Sequence, residues 1–331
     1  MRRTGVQIIV ILFLWGLPTL HLADGFNGSF RLVNSHTIVD QKGRTVVVDK
    51  PYTRIISLYG AHTENLFALG ADDALIGVGT HETYPREAKK KPAFSYRDGP
   101  EKFLAARPDL ILIRPMIDRG YQQLFRQLEA QGIVVLSLQP GTVAEMMDYF
   151  RILGEVTGKE QAAARMVDVF TRSLACIQAR FKDIPEKKRV YLESIHSRMK
   201  TFSPDSMAVF VLESVGGIHV GADGLPSRGT NIANYGKERI LSHANDIDVY
   251  IAQVGKMNPV TVRMIQDEPG FDTIGAVKEG RVYLIEEEIV SRPSLRLLDG
   301  MVEMGRMIHP RHYSDGFLEK LGAIRRSLSE E

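Results

Sequence analysis

Apolar residues recur along this chain in two alternating rhythms. The runs RIISLY (Arg54–Tyr59), ALIGVG (Ala74–Gly79), DLILIRP (Asp109–Pro115) and IVVLSLQP (Ile133–Pro140) are short, continuous and rich in aliphatic residues. That is how strands buried on both faces read. HTENLFALG (His62–Gly70) and YQQLFRQLEAQG (Tyr121–Gly132) instead carry apolar residues three and four apart and end at glycine, the signature of amphipathic helices. A second set begins at RVYLES (Arg189–Ser194) and continues through DVYIAQVG (Asp248–Gly255) and RVYLIEEE (Arg281–Glu288), with helices expected around Asp205–Val215, Thr230–His243 and Pro293–Ile308. Alternation of this kind predicts mostly parallel sheets flanked by helices. The expectation is an α/β protein of two Rossmann-like lobes, 54–158 and 185–310.

Between the lobes, residues 159–184 contain neither Gly nor Pro and place Ala163, Met166, Phe170, Leu174, Ile177 and Phe181 on one face. At about 1.5 Å per residue this predicts one rigid helix roughly 40 Å long. Its apolar stripe is too short for a sustained coiled-coil seam, so packing against the lobes is the better account. Ahead of the first lobe, within 26–53, HTIVDQKGRTVVVDKP alternates apolar and polar residues around Lys42-Gly43 and predicts a hairpin. Residues 311–331 are expected to form a helical tail. At the start, Arg2 and Arg3 precede the apolar run Ile8–Leu17, then Pro18 and small residues, which is the layout of a secretory signal peptide over 1–25 cleaved before Phe26. The run is too short to span a bilayer. No cysteine near the cleavage point offers a lipid anchor, and a periplasmic protein is expected.

Composition narrows the function. The chain has 331 residues, 44% of them hydrophobic, enough for real cores. Its 42 basic and 40 acidic residues leave a formal charge of +2 with no basic stripe, which argues against nucleic acid as a partner. The single cysteine, Cys176, excludes a disulfide framework and a thiolate metal cluster within one chain. No GxSxG elbow, GxxxxGK[ST] phosphate loop or GxGxxG fingerprint follows any predicted strand, so an enzyme is not expected.

Three passages resemble one family. They are GRTVVVDKPYTRIISLYGAHTENLFALGADDALIGVG, GPEKFLAARPDLIL and DTIGAVKEGRVYLIEEEIVSRPSLRLLDGMVEMGRMIHP. In this order, between Ile38 and Pro310, they are similar to the helix-linked (class III) periplasmic substrate-binding proteins of ABC importers, the ferric siderophore and cobalamin branch. The resemblance implies two lobes on one long helix, a ligand cleft between them, and no permanently bound cofactor. It implies a monomer that captures an iron or cobalt chelate and delivers it to an ABC permease dimer with a cytoplasmic ATPase. A ferric siderophore is the first expectation; cobalamin or another corrinoid, or haem, is the alternative. It also explains why EKFLAARPDL (Glu101–Leu110) is echoed by ERILSHANDI (Glu238–Ile247). The family docks one exposed glutamate per lobe into arginine pockets of the permease, and the matching positions are Glu101 and Glu238. A carboxylate at a helix N-terminus stays ionised and suits a guanidinium.

In open α/β sheets ligands sit beyond the carboxyl ends of strands. That rule nominates Tyr59 and His62, with Thr63 as the cap of the next helix. After the following strand it nominates His81, Glu82 and Tyr84, then Tyr96, Arg97 and Arg114. From the second lobe it nominates His196, Arg198, Gln253, Arg292 and Arg296. The arginines and tyrosines suggest an anionic, partly aromatic guest. His62, His81 and Glu82 could instead hold a bare transition-metal ion, a lesser alternative.

Overall fold

A computed structural model describes residues 29–227 and 230–328 of the chain; the signal segment and its cleavage point lie outside the described residues. The fold opens with a small antiparallel sheet of Arg31–Asn34, Thr37–Val39 and Thr45–Val47. The turn between the last two strands falls where Lys42-Gly43 predicts it, with Gly43 at φ 82°. Arg31–Asn34 is an additional strand. Arg44, braced at 2.8 Å by Asp40 of its own hairpin turn, fastens this sheet to the first lobe through Asp118 at 2.7 Å and Glu129 at 2.9 Å.

The first lobe is a five-stranded, fully parallel sheet in the order Ala93–Phe94, Leu75–Gly79, Ile55–Ser57, Leu110–Ile113, Val134–Ser137. Its strands are nearly all buried because helices cover both faces. The second lobe is mixed. Arg189–Ile195, Val249–Val254 and Val282–Glu286 run parallel, and an antiparallel flank of Lys200–Phe202, Ile232–Asn234 and Leu225–Pro226 extends the sheet. This corrects the helix expected over Thr230–His243. Only Lys237–Ser242 is helical, because Gly236 at φ 96° breaks the chain direction and the preceding residues pair as an edge strand.

The connecting helix spans Glu160–Phe181 and buries Ala163, Met166, Phe170, Ile177 and Phe181, with Leu174 partly buried on the same stripe. Gly158, at φ 65°, ends the preceding helix and turns the chain into this one. A last helix, Asp315–Arg326, lies against it; Leu321 is buried and Arg180 Nε donates to the His312 carbonyl at 2.9 Å. One apolar cluster runs from Ile55 and Leu110 through Met166 to Leu192 and Met301, so both lobes and the helix share a core. No helix among the described residues is long and apolar enough to cross a membrane.

Candidate functional site

The carboxyl ends of the parallel strands in both lobes carry the residues the strand-end rule nominated, and the structure sorts them into three groups. The first gathers around the strand ends of the first lobe. Tyr59 precedes the helix Gly60–Ala68, and the guanidinium of Arg114, which follows the strand Leu110–Ile113, lies 4.9 Å from the Tyr59 ring centre. Burial pushes the Tyr59 hydroxyl up despite Arg114 and Arg292. Arg114 Nε is buried without a hydrogen-bond partner. Tyr96 packs on Tyr121 at 4.6 Å, with Arg97 at 6.0 Å from its ring, and Arg296 reaches across to stack on Tyr84 at 4.1 Å. Large apolar side chains stand exposed after strand ends of both lobes, at Tyr84, Met116, Met257 and Met264.

The second group turns away from the cleft. His62 is fully buried; its Nδ1 lies 2.6 Å from the Tyr149 hydroxyl and its Nε2 3.0 Å from the Ile113 carbonyl. With both ring nitrogens occupied it is not a ligand residue, which corrects the expectation. The helix begins at Gly60, so His62 falls in its first turn and points inward. Thr63 is likewise inside the helix, its hydroxyl 2.8 Å from Ser57 Oγ, and does not cap it. His196 is also buried, held at 2.9 Å by Glu193 and approaching Glu268 at 3.9 Å. Gln253 is buried and accepts from the Ser291 hydroxyl at 2.6 Å. Among the described residues no cluster of three or more His, Cys, Asp or Glu side chains is placed to hold a metal ion, so the His62, His81, Glu82 alternative fails as well. His81 and Arg198 are exposed.

The third group binds the lobes to each other. Arg292 and Arg296, nominated for a guest, are engaged by internal carboxylates. Glu64 Oε1 accepts from Arg292 at 2.7 Å and from Arg296 at 3.4 Å, while Glu288 accepts from the same two at 3.0 and 3.2 Å. Burial pushes Glu64 up while Arg292 and Arg296 pull it down. Glu82 lies beside them with Oε2 buried and unpartnered; burial, opposed by Arg292 and aided by Glu64 and Glu288, raises it to about 7. Sequence reasoning missed Glu64 and Asn65, although two polar residues on the inward face of HTENLFALG were a legible sign of a buried polar contact. On the outer surface, Glu101 and Glu238 are both exposed, each in the first turn of a short helix, Pro100–Ala106 and Lys237–Ser242, that follows a glycine.

Residues 55–289 match the model of a family described as periplasmic binding protein. The chain is similar to an uncharacterized ABC transporter substrate-binding lipoprotein, YvrC, of Bacillus subtilis, 28% identical over 84% of this chain and 87% of that protein. A cobalamin-binding protein of Halobacterium salinarum is 20% identical over 82% of this chain and 73% of its own length. Among solved structures, a "possible" iron-binding (periplasmic solute-binding) protein from Staphylococcus epidermidis superposes with a TM-score of 0.69 at 28% identity, covering 78% of this chain and all of that one. The periplasmic vitamin B12 binding protein BtuF of Vibrio cholerae shares the fold, with a TM-score of 0.63 at 20% identity over 80% of this chain and 99% of that one. The family is one of binding proteins rather than enzymes. With its two α/β lobes, single connecting helix and facing strand ends, the chain belongs to the periplasmic binding protein family.

Proposed function

We propose that this chain is the periplasmic substrate-binding component of an ABC importer for a bulky metal chelate, and that a corrinoid suits its cleft ahead of a ferric siderophore. The observation that carries the choice is the engagement of Arg292 and Arg296 by Glu64 and Glu288. Guanidiniums already paired with buried carboxylates add little attraction for an anionic guest. What faces the cleft instead is Tyr59 beneath Arg114, with Tyr84, Met116, Met257 and Met264 exposed. Polarizable thioethers and tyrosine rings suit a broad, largely apolar, uncharged face. Relatives named for cobalamin and vitamin B12 support the same reading. A ferric siderophore remains the second reading, favoured by the unpartnered Arg114 Nε beside the Tyr59 ring.

Delivery would use Glu101 and Glu238 as paired docking points, one per lobe, on a two-fold permease. Their exposure and matching helix positions support this. The cargo is tested by thermal shift of Phe26–Glu331 against cyanocobalamin, ferric hydroxamates and catecholates, haem and free divalent metals. A guest at a hundred times its Kd adds about 2.7 kcal/mol of stability, several degrees for a chain of this size. A shift with cyanocobalamin alone is expected. A shift with a ferric chelate alone would move the cargo to siderophores, and one with free zinc or manganese alone would overturn the chelate reading.

A further inference from the structure

The lobes are joined in sequence by one helix and share an apolar core that runs through it. The structure holds a second connection at the cleft floor, made of side chains about 228 residues apart in sequence. From the first lobe come Glu64 and Asn65 of the helix Gly60–Ala68, and Thr83 after the next strand. From the second lobe come Glu288, Arg292 and Arg296, on the segment that follows the strand Val282–Glu286.

Each group is doubly held. Arg292 bridges Glu64 at 2.7 Å and Glu288 at 3.0 Å, and Arg296 bridges the same pair at 3.4 and 3.2 Å. Ser294 donates to the other oxygen of Glu64 at 3.0 Å, Asn65 Nδ2 donates to the Pro293 carbonyl at 2.9 Å, and the Thr83 hydroxyl donates to Glu288. Glu64 is only 4% exposed and Asn65 and Ser294 only 1%, so separating the lobes here would leave a buried carboxylate without its cations. The fit is steric as well as ionic. The Arg292 guanidinium lies against Gly60 so closely that a Cβ there would meet Nη1 at 2.5 Å and Cζ at 2.8 Å. An alanine at the first turn of that helix would therefore displace the guanidinium from its present position.

We infer that the Glu64–Arg292–Glu288–Arg296 cluster is a latch that fixes the angle between the lobes, so that cleft width and the separation of Glu101 from Glu238 depend on it rather than on the connecting helix alone. The meaning of that separation rests on the docking role proposed above; the latch itself does not. It is tested in the guest-free protein by electron–electron distance measurement between nitroxides at Leu104→Cys and Asp272→Cys, both exposed, in a Cys176→Ser background. A narrow distribution is expected, at least doubling in width with Gly60→Ala, which displaces the Arg292 guanidinium, and with Glu64→Gln, which removes the shared charge. Thr171→Gly with Arg172→Gly, on an exposed turn of the connecting helix, should leave the width unchanged. The latch is overturned if the folded latch variants keep the wild-type width, or if weakening the helix broadens it equally. Should Gly60→Ala not fold, Glu64→Gln decides. Because neither cargo nor permease is present, a latch that holds while Glu101→Ala/Glu238→Ala still transports would isolate the docking reading as the error.

Discussion

Each lobe buries a histidine just past its first core strand, and the two are handled in opposite ways. His62 sits between a hydroxyl and a backbone carbonyl, with no carboxylate among the described residues bonded to it. Burial lowers its pKa to about 4, with Arg114 pushing the same way and the bond to Ile113 opposing. The Ile113 carbonyl can only accept, so Nε2 carries the hydrogen and Nδ1 accepts from Tyr149: a neutral strut. His196 instead rests on Glu193, whose bond is the main cause of a raised pKa, against burial and with Glu268 assisting. That favours an imidazolium. Residue type and position after a strand are shared, yet the neighbours decide whether the ring carries charge, and neither ring is free for a guest.

At the surface the lobes are alike, and the largest expected effect tests that likeness. Glu101→Ala with Glu238→Ala should abolish uptake in reconstituted vesicles while leaving cargo affinity unchanged, and each single change should impair uptake to a similar degree. Uptake that survives the double change would remove the docking assignment.

Inside, the lobes should part. Glu193 is fully buried and accepts from His196 and from the Tyr250 hydroxyl. Glu193→Ala leaves an imidazolium and a phenol unpaired and should cost about 3–5 kcal/mol in denaturant unfolding. Tyr149→Phe removes only a neutral partner of His62 and should cost about 1–3 kcal/mol. Equal costs would mean that the two sites are electrostatically equivalent.

Much of this architecture was legible in the sequence, for reasons that also mark where reading stopped. RIISLY and DLILIRP announce buried strands because a parallel strand covered on both faces must be continuously apolar. Residues 159–184 announce a helix because nothing in them breaks one. The antiparallel flank was not legible. Leu225–Pro226 and Ile232–Asn234 are two and three residues long, too short for a period to register. At the site, the strand-end rule nominated Tyr59, Arg114, Tyr84 and Arg296, and the structure brings them together in pairs, Arg114 against the Tyr59 ring and Arg296 against the Tyr84 ring. It misplaced His62 because the rule selects a loop, while the phase of the helix beginning at Gly60 selects the direction of each side chain. Arg292 and Arg296 looked free because Glu64 lies more than two hundred residues upstream.

A smaller effect concerns the floor of the cleft. Glu82, with its pKa near 7, is favoured in its neutral form by folding, whereas the unfolded carboxyl titrates at its ordinary value of 4.5. Its contribution is therefore complete below about 4.5 and lost as the pH rises through about 7. Melting measured at pH 5 and pH 8 should reveal a loss of about 2 kcal/mol in the natural protein that Glu82→Gln largely removes. A variant with the same pH dependence as the natural protein would place that loss elsewhere.

The smallest effect is spectroscopic and returns to the two imidazoles. Followed by NMR, the His62 ring should stay neutral from pH 8 down to 5 and begin to titrate only near 4, with its Nε2 hydrogen protected throughout. His196 should titrate above its ordinary value of 6.5. The signs for stability are opposite. The His62 contribution is present above 6.5 and lost as the pH falls through about 4, because unfolding lets the ring take a proton that the folded site refuses. The His196 contribution is present below 6.5 and lost as the pH rises through its raised folded value. In acid the buried His219, also lowered to about 4 and paired beside Val190, should weaken the second lobe much as His62 weakens the first, whereas mild alkali should loosen the second lobe before the first, an order that amide exchange of the strands Ile55–Ser57 and Arg189–Ile195 would read directly. If both strands lost protection at the same alkaline pH, the shared core running through the connecting helix would be coupling the lobes more strongly than their separate electrostatics divide them.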